Sequence, residues 1–135
     1  MYEFHGDKRR YFDMTYEVTK NHIVPYIDGY FPIKQDMNVL EIGCGEAGVL
    51  KAFLEKGCRC TGIELDPSRI EYAKEFLKDN VEEGSIDFLS KDIYLVDPVK
   101  ELGRTYDIII LKDVIEHIHE QEKFVPQLHK FLKEG

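Results

Sequence analysis

The side chains able to do chemistry gather in three stretches. In the first, Val39-Leu40-Glu41-Ile42-Gly43-Cys44-Gly45-Glu46-Ala47-Gly48, glycines sit where an apolar strand pattern gives way to a helical one. Glycine lets the chain turn sharply there and leaves backbone N–H groups at the helix start open to a ligand. Gly43, Gly45 and Gly48 have the G-x-G-x-x-G spacing of a dinucleotide site, and Glu64, 21 residues beyond Gly43, stands where a ribose-binding acid belongs. The charges argue for a different ligand. Glu41 precedes the first glycine by two residues, Glu46 lies within the turn, and no Lys or Arg follows until Lys51. Two carboxylates repel a pyrophosphate but stabilise an ammonium or a sulfonium, while the turn's N–H groups can still hold that ligand's own carboxylate. Cys44 reads as a small turn residue, since no base accompanies it to make a nucleophile.

The second stretch is Asp92-Ile93, and the third is Asp113-Val114-Ile115-Glu116-His117, which follows the most apolar run of the chain. His117 titrates near neutral pH and, with Glu116, is the candidate general base; the plainer reading is that the pair caps or orients a loop. Asp113, Glu116 and His117 also share a helical face at i, i+3 and i+4, a spacing that can present ligands to a hard ion. His5, His22, His119 and His129 show no metal-ligand spacing, and no metal site is assigned.

Positioning these residues requires alternating strands and helices. Asn38–Ile42 and residues 58–63 read as strands, with Val49, Leu50, Phe53 and Leu54 on one face of an intervening helix that Gly57 ends. Asp66-Pro67 supplies an N-cap and a first helical position, and Ile70, Ala73, Phe76 and Leu77 form the buried stripe of a second helix, closed by residues 80–84. Strands over Ile86–Leu89 and residues 106–111 follow, and Phe124, Leu128, Phe131 and Leu132 mark a last helix. The alternation predicts an α/β domain: a Rossmann-like, doubly wound, mostly parallel sheet with helices on both faces. Before it, Phe12, Tyr16, Thr19, Ile23, Ile27 and Tyr30 recur near the 3.6 period and give an N-terminal helical extension, split or kinked at Pro25 and ended by Gly29 and Pro32. Residues 1–36 thus read as a lid packed on a domain of residues 37–135. A four-stranded sheet ending on a wholly apolar strand leaves that strand short of neighbours. The sequence therefore predicts a domain that is C-terminally incomplete, or a homo-oligomer that completes the sheet edge.

At 135 residues, 43% hydrophobic and 33% charged, the chain can bury a core without staples, and no repeat or low-complexity linker divides it. Its 3 cysteines, an odd number, fit a reducing, cytoplasmic compartment better than a secreted disulfide framework. A net charge of −8 disfavours nucleic acid and anionic lipid as partners. No apolar run approaches the roughly 18–20 residues that span a bilayer, and the first residues lack a hydrophobic signal core, so neither a membrane segment nor export is expected.

The ordered set VLEIGCGEAGVL, GIELDPSRIEYAKE, KDIY and YDIIILKDVIEHI resembles the motifs of class I S-adenosylmethionine-dependent methyltransferases, especially the small-molecule branch that includes quinone-biosynthesis enzymes. The resemblance covers residues 37–135. It implies S-adenosylmethionine as cofactor, the cationic ligand that the acidic turn favours, and a small-molecule methyl acceptor. It further implies that Glu41, Gly43, Cys44 and Gly45, with Gly48 closing the turn, form the methionine end of the site. Glu64 would take the two ribose hydroxyls through its two carboxylate oxygens, and Leu65 would lie against the adenine. Asp92 would accept from the adenine amino group, Ile93 would donate its backbone N–H to the ring, and Leu111 and Lys112 would line the cofactor beyond the fourth strand. The chain departs from the family twice: Ala47 stands where the third glycine is usual, and Lys112 brings a cation toward a sulfonium. Three other functions stay open on the sequence. One is an NAD(P)-binding oxidoreductase domain, and another is a noncatalytic domain that binds adenosyl ligands. The third, through Asp113, Glu116 and His117, is a metal-assisted RNA 2′-O-methyltransferase, against which the acidic charge speaks.

Overall fold

The computed structural model of the chain describes residues 2–111 and 131–132. Strands β1 (Asn38–Ile42), β2 (Arg59–Ile63), β3 (Ile86–Leu89) and β4 (Ile108–Leu111) form one sheet in the order β3-β2-β1-β4, every pair parallel. The chain winds outward from β1 through β2 to β3, then crosses back to lay β4 on the other side of β1. Ligand crevices of open parallel sheets form beyond the carboxyl ends of the strands beside such a reversal. The Rossmann-like architecture with its N-terminal helical extension is the one the residue pattern predicts.

Alternation along the strands divides the core in two. Val39, Cys60 and Ile86 face helices α1 (Tyr2–Val18), α3 (Gly48–Leu54) and α4 (Pro67–Phe76), through Phe12, Leu50, Phe53 and Ala73. Leu77 and the short α5 (Lys78–Glu83), stopped by Gly84 at φ 81°, complete that side. On the opposite face Leu40, Ile42 and Ile63 pack with Ile93, Val96, Tyr106 and Phe131. There the buried Tyr106 hydroxyl donates to Thr61 Oγ1 at 2.9 Å. Phe124 and Leu128 of the expected last helix lie outside the described residues. Phe131 and Leu132, expected at the end of that helix, instead run beside the start of β4. Leu132 bridges Tyr106, and the Phe131 carbonyl accepts the Tyr106 N–H at 2.6 Å. A buried backbone donor needs an acceptor, and this one is supplied by a turn residue rather than by a helix.

The extension is helical but changes pitch. Thr19–Ile23 is a π-helical stretch joining α1 to α2 (Val24–Tyr30). Pro25 lacks an N–H and its ring would collide with the carbonyl four residues back, so a wider turn accommodates it. The Val24 N–H accordingly reaches Thr19 O, one residue farther back than in an α-helix. That extra residue rotates the buried face. Phe12, Tyr16 and Thr19 are buried as their period predicts, but Val24 (4% exposed) then takes the place expected for Ile23 (38%), and Tyr30 lies in solvent.

No described helix is long and apolar enough to cross a membrane. A tightly constrained contact lies at Gly48, where α1 crosses the start of α3. A Cβ there would collide with Thr15 Oγ1 and lie 2.5 Å from Phe12 O. Gly48→Ala is therefore expected to lower stability by about 1–3 kcal/mol, the cost of overpacking. Gly6→Ala, with nothing within 4 Å of its added methyl, is expected to hold or raise stability. Urea titration of both variants reads the difference.

Candidate functional site

From Ile42 the chain turns through Gly43 (φ 77°), Gly45 (φ 56°) and Ala47 (φ 69°) into α3. The Gly43 and Cys44 N–H groups both reach Ile63 O, at 2.8 and 3.2 Å, and so tie the turn to the end of β2. Left-handed backbone costs a residue with a Cβ roughly 1–2 kcal/mol. Ala47 adopts it nonetheless, as the residue that leads into α3. Gly48 is needed for the approach of α1.

Glu64, just past β2, is buried, with Oε1 accepting the Gly45 N–H at 2.9 Å and Oε2 accepting the Asp66 N–H at 3.0 Å. One carboxylate thus fastens the glycine turn to the start of α4, where Asp66 accepts from the Ser68 N–H as an N-cap. Glu41 and Glu46 are 1% and 2% exposed and line the same cleft as Glu64, Gly43 and Cys44.

The local sequence shows no cation near the turn, but the fold brings two. Arg69 Nε and Nη2 donate to Glu46 Oε2 and Oε1 at 2.8 and 3.1 Å, and Arg69 Nη1 lies 3.9 Å from Glu64 Oε1. Lys8 Nζ, from α1, is 3.3 Å from Glu46 Oε2. Arg69 had a legible signal. It stands on the first turn of α4, and helical side chains tilt toward the N-terminus, here toward the carboxyl edge of the sheet. Lys8 had none, because only tertiary packing carries α1 to the turn. With Glu41, Glu46 and Glu64 against Arg69 and Lys8, the cleft keeps an acidic balance among the described residues.

Burial pushes the Glu46 carboxyl up, but the hydrogen bonds and charge of Arg69, aided by Lys8, outweigh it and hold the group below its ordinary value. Hydrogen bonding to Glu46 raises Arg69 in turn. Burial, with Glu41 and Glu64 nearby, pushes the Cys44 thiol well up, so it stays protonated and is no nucleophile.

Farther along the edge, Leu65 follows β2 and is 69% exposed. Asp92 accepts the Tyr94 N–H at 3.0 Å and starts a single 3-10 turn, Ile93–Leu95, whose Ile93 side chain is buried in the core. Leu111 ends β4, paired with Ile42. Glu41, Gly43, Cys44, Gly45, Glu64, Leu65, Asp92, Ile93 and Leu111 therefore all stand at or just beyond the carboxyl ends of the strands. Lys112, Asp113, Glu116 and His117 lie outside the described residues. No cluster suited to a metal ion occurs among the described residues.

An acidic glycine turn at the reversal point of a parallel sheet, with an acid closing the second strand, defines a Rossmann-like nucleoside-binding domain. A family model described as a methyltransferase domain matches residues 16–135, and the chain belongs to the class I S-adenosylmethionine-dependent methyltransferases. The norajmaline N-methyltransferase of Rauvolfia serpentina is 30% identical over 105 residues, 77% of this chain and 35% of that protein. The ubiquinone biosynthesis O-methyltransferase of Rickettsia canadensis is 26% identical over 114 residues, 83% of this chain and 45% of that one. Among solved structures, the magnesium protoporphyrin IX methyltransferase of Synechocystis PCC 6803, with bound S-adenosylmethionine, shares the fold. Its TM-score is 0.68 at 17% identity, over 89% of this chain and 56% of that one. The chain thus spans less than half the length of the two curated relatives. Family membership sets the oxidoreductase reading aside.

The depressed Glu46 carboxyl makes stability depend on pH with a definite sign. As pH falls, the unfolded chain binds this proton first, so the stabilisation is complete above the ordinary value of 4.5 and is lost as pH drops through the folded value. Chemical unfolding from pH 7 down to pH ~3 is expected to show wild type losing its advantage over Glu46→Gln below pH ~4.5.

Proposed function

We propose that this chain binds S-adenosylmethionine at the acidic glycine turn and transfers its methyl group to a small-molecule acceptor. The burial of Glu41, Glu46 and Glu64 around the turn through Gly43 and Gly45 carries the reading. Carboxylates withdrawn from water attract a sulfonium and an ammonium more strongly than exposed ones, and they repel paired phosphates. The cradle also fits in shape. Gly45 is faced by a flexible arginine side chain rather than by backbone, and exposed Leu65 offers the adenine an apolar surface.

When bound, S-adenosylmethionine supplies an activated methyl carbon for in-line displacement, which leaves alignment and the exclusion of water to the protein. Glu64 holds the ribose hydroxyls. Each of its oxygens already accepts one backbone N–H, and a carboxylate oxygen has a second lone pair to offer, so the ribose adds to the turn without dismantling it. Glu41 faces the methionine end with Gly43, Cys44 and Gly45, and Gly48 fixes the turn behind them. Asp92 spends one oxygen on Tyr94 and accepts from the adenine amino group with the other, while the Ile93 N–H meets the ring. Leu111 and Lys112 line the cofactor past β4, Glu116 and His117 stand at the acceptor with His117 as base, and residues 1–36 serve as the lid.

The acceptor is an amine or a hydroxyl of a small molecule, in keeping with the N- and O-methyltransferases among the relatives. Net charge −8 argues against nucleic acid, and three unpaired, buried cysteines suit the cytoplasm. β4, half-buried and outermost in the sheet among the described residues, suits pairing with a second copy.

Calorimetry is expected to show binding of S-adenosylmethionine and its demethylated product, and none of NAD. Glu64→Ala is expected to weaken both by roughly 1.5–3 kcal/mol, the scale of hydrogen bonds to a charged group. Unchanged affinity would remove the ribose assignment. Once an acceptor is found by screening, His117→Gln is expected to lower kcat about 100-fold with cofactor affinity intact. An unaltered kcat would leave His117 a loop residue.

A further inference from the structure

The guanidinium of Arg69 covers Gly45. A Cβ built on that glycine would collide with Nη2 and lie 2.8 Å from Cζ and 3.3 Å from Nε. Two hydrogen bonds to Glu46 hold the group there, and Glu64 lies 3.9 Å from its third nitrogen. The surface it covers and the carboxylate it approaches are the two features an adenosyl ligand needs at this turn.

We infer that Arg69 is a latch: an internal cation that occupies the acidic cleft over Gly45 and must swing off that glycine before an adenosyl ligand can seat. The inference rests on the cofactor reading of the site, and adds that affinity is set by competition between the guanidinium and the ligand for one cluster of carboxylates.

Three features make the movement feasible. The Arg69 side chain is about a third exposed, so it is not locked in the core. Its departure need not strand a buried charge, because Glu46 has a second cation, Lys8 Nζ, 3.3 Å from Oε2. A destination also adjoins the site: an open cleft between α1 and α4, lined by Asp7, Lys8, Tyr11, Glu46 and Arg69 itself. Glu46 borders both clefts and can act as the pivot.

A site competent in only a fraction of molecules binds more weakly by that fraction, so a latch closed in about nine molecules of ten weakens apparent affinity about tenfold. The test is calorimetry on the full-length protein with S-adenosylmethionine, S-adenosylhomocysteine and 5′-methylthioadenosine, the last lacking the amino-acid end. Arg69→Met, which keeps the packing of the stem, is expected to bind all three about 3- to 10-fold more tightly. Arg69→Lys, which keeps the charge without the fork, is expected to fall between Arg69→Met and wild type. Weaker binding of the two amino-acid-bearing ligands with 5′-methylthioadenosine unchanged would make Arg69 a carboxylate contact and overturn the latch. Equal affinities in all variants would overturn it too. A crystal structure of wild type with S-adenosylhomocysteine needs no variant to fold: displacement of the guanidinium from Gly45 supports the latch, and an unmoved guanidinium sinks it while leaving the cofactor reading intact. Binding of none of the three by wild type would instead overturn the cofactor reading, and the latch with it.

Discussion

Glu64 is the fastening on which the cleft depends. A carboxylate taken out of water loses several kcal/mol of hydration unless charge-assisted hydrogen bonds replace it. Here the replacement comes from backbone, with Gly45 giving one N–H and Asp66 the other. Two loops far apart in sequence are thereby held to one side chain. With the loops fixed, the first turn of α4 is fixed as well, and so are Asp66 as its cap and Arg69 behind it. The glycine turn owes its shape as much to this acid as to its own glycines.

The same economy links the N-terminal helix to the site. Phe12 is fully buried in the core against α3, and the bare face of Gly48 lets α1 come close enough for that contact. The close crossing carries Lys8 to Glu46 and places the Tyr16 hydroxyl 2.6 Å from Glu55, with Lys51 Nζ 4.0 Å from the Tyr16 ring centre. An extension that supplies core and counter-charge together is coupled to the cleft in energy. Loosening α1 takes from Glu46 the partner that remains when Arg69 moves.

Much of this was legible because it is local. The bounds of β1 and β3 follow from short apolar runs, the start of α4 from Asp66-Pro67, and the acid at the end of β2 from its distance to the glycines. What was illegible is tertiary or conformational. Pro25 announces a break in the helix but not that a π-helical stretch will absorb it and rotate Val24 inward. Nothing in EAGVL says that Ala47 takes the left-handed backbone while the neighbouring glycine is reserved for a steric crossing. The charge count around the turn was incomplete for the same reason, though its acidic sign holds. Arg69 and Lys8 belong to other elements, and a window of sequence sees only the carboxylates they neutralise.

Those neutralising contacts bear on why the cleft is built this way. A pocket with three buried acids and no internal cation would be acidic enough to draw in a sulfonium, but it would strain the empty fold by mutual repulsion. Adding Arg69 and Lys8 relieves the repulsion at the cost of occupying what the ligand needs. Each bond that steadies the free cleft is one the ligand must share or displace, so stability without ligand and affinity for it pull in opposite directions. Placing one cation on an exposed, flexible arm and the other on a packed helix resolves part of that conflict. Glu46 has both as partners, so the loss of Arg69 to a ligand leaves it Lys8 as a counter-ion.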